Sequence, residues 1–137
     1  MLVSSLDTGV DGNHPAVANR WRGLDPRYAG NPGWAFFDPV TFRTFPADSN
    51  GHGTHTMGTM VGDDGGANQI GMAPGAQWIA CDGCNAVTGC PGASLLTCAQ
   101  WIAAPYPIGD PGSPNPDMRP HVVNNSWSDC DQSYDNW

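Results

Sequence analysis

Two histidines three residues apart, His52 and His55, stand in a run of small residues from Asn50 to Gly62, NGHGTHTMGTMVG. An imidazole can accept a proton, carry charge or ligate a metal near neutral pH. Three chemistries therefore compete. The plainest is a Gly-rich turn whose histidines are merely satisfied by neighbours. The second is a metal site, because HxxH sets two imidazoles near one helix face. A metal-binding helix more often uses HExxH with a Glu as base, and no Glu accompanies this pair. The third is a general base, which needs a carboxylate to orient the ring and a hydroxyl to attack.

A carboxylate is available at the end of the first apolar run. Leu2 to Leu6 has β character and ends at Asp7-Thr8-Gly9. A buried strand that releases a carboxylate into a Gly turn is a common way to build an α/β site. For the histidine run, the spacing predicts a short helix over Thr54–Val61, with glycines before it allowing a tight turn. Further strands are expected at Trp34–Phe37, Gln77–Cys81 and His121–Trp127. Apolar residues at helical spacing predict an amphipathic helix over Ala93–Ala103, with Ser94 in its first turn. The segments 11–31 and 105–120 are rich in turn residues and read as loops. The order is strand, loop, strand, helix, strand, helix, strand. That alternation predicts an α/β fold, a parallel sheet with helices on both faces in Rossmann-like layering.

Composition narrows the partners. At 137 residues the chain is one domain at most. Its 18 Gly and 13 Pro demand many turns. Charged residues make up 13% of the chain, well under the roughly 25% of ordinary domains. The five basic residues are all Arg, and the net charge is -8. No basic patch exists to replace phosphate counterions, which argues against a nucleic-acid partner. An acidic, Lys-free surface suits a secreted or salt-tolerant protein. No apolar run approaches 18 residues, so no membrane span is expected. Met1-Leu2-Val3 opens no leader pattern, so the leader of an exported parent is expected outside this chain. Five cysteines, Cys81, Cys84, Cys90, Cys98 and Cys130, leave one unpaired within a chain. Disulfides, inert thiols and zinc all remain open for the other four.

Taken together, the motifs resemble the subtilisin-like serine peptidases. Asp7-Thr8-Gly9-Val10 with His14-Pro15 is similar to that family's aspartate motif, and His52-Gly53-Thr54-His55 with Gly58-Thr59 to its histidine motif. Gly71-Met72-Ala73-Pro74-Gly75-Ala76 is similar to its G-x-A-P-x-A segment, and His121–Ser128 to the strand lining its substrate cleft. The VVNNSW strand resembles the bacillopeptidase F branch, which is secreted. The resemblance implies that Asp7 orients His52, that His52 is the general base, and that His55 is structural and packed beneath the site. It implies that Ser126, Trp127 and Ser128 hold an extended peptide substrate as an added strand. Ser128 stands where the family usually has Gly, so its side chain would narrow the cleft.

The family's nucleophile motif, of the type G-T-S-M-A, does not occur in this sequence, nor does the segment with the oxyanion-hole asparagine. Residues 1–137 therefore resemble the first half of a peptidase domain, with the aspartate and histidine motifs present and the serine motif absent. Ser94 is the best local substitute for a nucleophile. The resemblance implies no required cofactor and allows a structural calcium, to which Asp63 and Asp64 could contribute. Two other classes stay open. One is a non-catalytic peptide-binding fragment that self-associates through an exposed sheet edge, as a homo-oligomer. The other is a zinc hydrolase using His52, His55 and either a cysteine or Asp7.

Overall fold

The computed structural model describes residues 1–28, 31–85 and 88–128. Cys130, the fifth cysteine, lies outside them. Strand β1 (Leu2–Asp7) is the centre of the molecule, and all six of its residues are buried. It pairs in parallel with β3 (Gln77–Asp82) on one side and β4 (Val122–Asn124) on the other. Strand β2 (Phe36–Phe37) adds to β3, so the sheet order is β2-β3-β1-β4, all parallel. A strand flanked on both sides and covered on both faces reads as a continuous apolar run rather than an alternating one. Ser4 and Ser5 interrupt that run, and their hydroxyls are buried without a partner.

Strand alternation shows which helix covers which face. Leu6 and Cys81 are in register, and Cys81 is disulfide-bonded to Cys98 of helix α2 (Gly92–Ala103). Phe37, in register with Cys81, stacks on Trp101 of the same helix at 5.6 Å. Asp7, one position on from Leu6, points the other way and meets helix α1 (His52–Val61). The two helices therefore lie on opposite faces, as the alternating order predicts. On the α1 face, Trp78 packs against Trp21 and donates its indole N–H to the Val17 carbonyl at 2.8 Å. The 11–31 segment thus covers the sheet by short 3-10 turns, Ala18–Arg20 and Arg22–Leu24, rather than by a featureless loop.

Four expectations need correction. The histidine helix starts at His52, two residues before Thr54, because its first-turn amides are satisfied from outside the helix. The strand expected over Trp34–Phe37 is only Phe36–Phe37, because Pro32–Trp34 forms a 3-10 turn. The strand expected over His121–Trp127 ends at Asn124. Beyond it the Trp127 indole, not a ladder amide, donates to the Leu6 carbonyl at 2.9 Å. Asn124 and Ser126 bond each other's side chains. Finally, His55 is exposed rather than packed beneath the site. The face of α1 turned to the protein is Gly53, Met57, Gly58 and Val61, and His55 falls outside that stripe.

The cysteines resolve as Cys81–Cys98, which ties β3 to α2, and Cys84–Cys90, which closes a short loop after β3. These pairings take four of the five cysteines. The Gly71–Ala76 segment closes the far end of α1. Met72 and Ala73 donate their amides to the Thr59 and Met60 carbonyls at 3.1 and 2.8 Å. Those carbonyls lie in the last turn, where no intrahelical donor exists. No described helix is long and apolar enough to cross a membrane.

Candidate active site

The site forms where β1 runs out and α1 begins. Parallel strands present their C-terminal ends together, and a carboxylate released there faces the start of the following helix. Asp7 is 2% exposed and His52 47%. Between them lies one hydrogen bond, His52 Nδ1 to Asp7 Oδ1, at 2.7 Å. A carboxylate accepts, so the contact assigns the proton to Nδ1 and leaves Nε2 as the proton acceptor on the exposed side.

Asp7 is itself held. The Thr8 amide donates to Oδ1 at 2.7 Å, and the Thr56 hydroxyl sits 3.3 Å from Oδ2. The Gly83 and Cys84 amides both donate to the Asp7 carbonyl at 3.0 Å, which ties the end of β1 to the disulfide loop. The close approach of α1 depends on two glycines. A Cβ on Gly53 would lie 2.0 Å from the Gly9 carbonyl oxygen, and one on Gly9 would lie 2.0 Å from that of Ala47. Gly9 also has φ +90, a conformation that side chains disfavour.

His52 is placed by a residue the motif search did not single out. Asp48 accepts hydrogen bonds from the Asn50, Gly51 and Thr54 amides at 2.8–2.9 Å and from the Thr54 and Thr8 hydroxyls at 2.6 and 2.9 Å. The Thr8 hydroxyl in turn accepts from the Gly53 amide at 2.9 Å. Gly51 offers no side chain to cap α1. Asp48 and Thr8 do so instead, with negative charge at the positive end of the helix. Burial opposes the charge on Asp48, but the Thr54 hydroxyl and the loop amides outweigh it and hold its carboxyl below the usual range. The sequence signal for this was an Asp two residues before Asn50, the spacing of an Asx turn.

Beside the dyad is a cleft of about 640 Å³ floored by Asp38, Arg43 and Asp82. Arg43 donates to Asp38 at 2.7 Å and to Asp82 at 2.5 Å. Burial, then the neighbouring Asp38 carboxylate, push Asp82 up to about 7, with Arg43 opposing. These three residues were also absent from the sequence-based site.

The other candidates are placed as follows. Ser94 sits in the first turn of α2, on the face of the sheet opposite α1, and no hydrogen bond joins it to His52 among the described residues. Ser126 and Ser128 are exposed, beyond β4. Trp127 borders a groove of about 670 Å³ with Leu6, Leu96, Ile102 and Val123. His55 lines a separate hollow with Asp11 and His14. Asp63 and Asp64 accept from Gly65 and Gly66 in their own turn at 2.8 Å. Among the described residues no three His, Cys, Asp or Glu side chains converge as a metal-ligand set. The structure thus brings Asp7 and His52 together, and among the described residues no hydrogen bond joins Ser94, Ser126 or Ser128 to either of them.

Comparison with known proteins identifies the family. The profile of the subtilase family, peptidase family S8, matches residues 1–137. The chain is 44% identical over 131 residues to bacillopeptidase F of Bacillus subtilis (strain 168), a match spanning 92% of this chain and 9% of that protein. It is 33% identical over 78 residues to fervidolysin of Fervidobacterium pennivorans, covering 56% of this chain and 10% of that one. It is 36% identical over 77 residues to an intracellular serine protease of Paenibacillus polymyxa, covering 56% and 21%. The chain therefore spans between about a tenth and a fifth of the length of these relatives. No solved structure gives a significant match.

Proposed function

The chain belongs to the subtilase family, and from that premise we propose that it carries the orienting carboxylate and general base of a serine endopeptidase acting on peptide bonds in proteins. The observation that carries the reading is the 2.7 Å bond between His52 Nδ1 and a buried Asp7. His52 Nε2 takes the proton of a serine hydroxyl as that oxygen attacks the peptide carbonyl. It then gives the proton to the departing amine. Asp7 keeps the tautomer and stabilises the imidazolium without itself accepting the proton. The serine comes from a further part of the peptidase domain, because Ser94 lies on the wrong face of the sheet. Ser126–Ser128 follow the edge strand β4 and are the segment an extended substrate would run beside. Two disulfides suit an oxidising compartment and support secretion.

The test is labelling by a fluorophosphonate serine probe together with a casein assay. Each is run on this chain alone and on the chain mixed with the serine-bearing remainder of a subtilase domain. Label and turnover are expected only in the mixture and are lost in His52→Ala. Label on the chain alone that survives His52→Ala would overturn the reading.

A second reading has its own observation. Val122 and Val123 of β4 are 53% and 40% exposed at the open edge of the sheet. An exposed apolar edge pairs with another strand, so the isolated chain self-associates there as a homo-oligomer. A monomeric mass by light scattering at tens of micromolar would count against it.

A further inference from the structure

At the opposite end of β1 from Asp7 lies a buried cation with no ion-pair partner among the described residues. Arg22 opens the Arg22–Leu24 turn and is 4% exposed. Its guanidinium donates to the Met118 carbonyl and thioether, both at 2.9 Å, and lies 4.2 Å from the centre of the Tyr28 ring. Its Nε is buried with no partner. Among the described residues no carboxylate comes within ion-pair distance of it, although Arg27 and Arg43 both have one. A buried charge without an ion pair is costly, and the Met118 and Tyr28 contacts, with the Asp25 carboxylate beyond ion-pair distance, compensate it only in part.

Arg22 borders a small pocket of about 190 Å³, shared with Tyr28, Gln77, Asp117, Arg119 and His121. Arg119 is exposed and holds only the Pro116 carbonyl, at 2.9 Å. His121 Nδ1 lies 3.1 Å from the Leu2 amide and 3.3 Å from the Leu2 carbonyl; the shorter contact favours Nδ1 as acceptor, which leaves Nε2 with the proton as a donor. Gln77 donates to Asp25, whose carboxylate is already taken by Arg27. Of the charged side chains on the pocket wall two are arginines and one is Asp117, in a chain whose net charge is -8.

We propose that this pocket binds a small oxyanion, phosphate, sulfate or a carboxylate, held by Arg22 and Arg119 with His121 as a further donor. The anion supplies the direct ion-pair partner that Arg22 lacks among the described residues. The site stands at the far end of the sheet from the dyad and is independent of the peptidase reading.

Inorganic phosphate is the first probe, followed by 31P line broadening and calorimetry on the 137-residue chain in low-salt chloride buffer. Saturable binding is expected. Arg119→Ala removes an exposed donor without touching the core and should weaken binding by at least about tenfold, the value of one charge-assisted hydrogen bond. Arg22→Met should abolish binding and melt no lower than wild type in phosphate-free buffer, since it also removes a charge compensated only in part. If Arg22→Met fails to fold, Arg119→Ala decides. Phosphate raising the melting temperature of wild type and Arg119→Ala equally would be general salting-out and would overturn the proposal, as would unsaturable broadening. Acetate that competes with phosphate assigns the site to carboxylates as well, and acetate that does not restricts it to tetrahedral oxyanions.

Discussion

The corner around His52 and the edge along β4 are built from opposite materials. At the corner, Asp7, Thr8, Asp48, Gly53, Thr54 and Thr56 satisfy one another across more than forty residues of sequence. At the edge, Leu96, Val122, Val123 and Trp127 leave 36–61% of their surface open. Leu96, Val123 and Trp127 border an apolar groove. The difference teaches that the polar network of the corner closes on itself within this chain, while the apolar surface along the edge does not. A polar network becomes rigid only when every member is partnered, whereas an apolar face can be left open and covered later.

Substitutions at the corner should therefore cost stability, with Gly53→Ala the largest. Its Cβ would meet the Gly9 carbonyl at 2.0 Å, which neither backbone can relieve without moving His52 from Asp7. A loss of about 3 kcal/mol in urea unfolding is expected. Gly58→Ala, on the same helix with open space around its Cβ position, should instead gain about 0.5 kcal/mol from helix propensity. Equal effects at the two glycines would mean that the corner is not tightly packed.

Asp48→Ala comes next, at about 2 kcal/mol, because it leaves three loop amides and two hydroxyls without their acceptor. The pH dependence carries a sign. A carboxyl held below its usual value in the folded protein contributes stability that is present above the unfolded value, near 4, and lost as pH falls through the folded one. Acid unfolding should thus be shallower in Asp48→Ala than in wild type. An identical acid limb in both would show that Asp48 does not hold the corner.

Asp48 also marks the boundary of what the sequence disclosed. Asp7, His52 and the parallel order were legible because their signals are local: an apolar run ending in Asp-Thr-Gly, a histidine among glycines, strands alternating with helices. Asp48 binds Thr8 across forty residues, and no spacing in the sequence shows that. The same is true of Arg43 reaching Asp82. His55 was misplaced because HxxH leaves open which face of the helix the second ring takes. The small residues Gly53 and Gly58, not the imidazole, decided that. β4 was drawn too long because Trp127 was counted with Val122 and Val123 across three polar residues, and its side chain takes the Leu6 carbonyl that a longer ladder would have used.

Asp82→Asn probes the cleft beside the corner. Burial and Asp38 raise the folded value to about 7, so the folded state keeps a proton that the unfolded chain releases near pH 4. Wild type should lose stability as pH rises from about 4 to about 7, and the variant, which does not titrate, should gain on it across that window by on the order of 2 kcal/mol. Thermal unfolding at matched ionic strength from pH 5 to 8 reads this directly. A constant difference between the two proteins would place Asp82 as an ordinary ion-pair partner of Arg43.

Val123→Lys should be almost silent by the same measure. Val123 lies on the last strand with no neighbour beyond it, and a surface change of this kind stays within about 0.5 kcal/mol. Its effect belongs to association, because a Lys on an open edge is the device by which strands refuse to pair. Sedimentation at rising concentration should show wild type associating and Val123→Lys monomeric, with melting temperatures that match. Loss of stability in Val123→Lys would make the edge part of the core. Association unchanged by the Lys would move the contact away from β4 and from the groove that Val123 shares with Leu96 and Trp127.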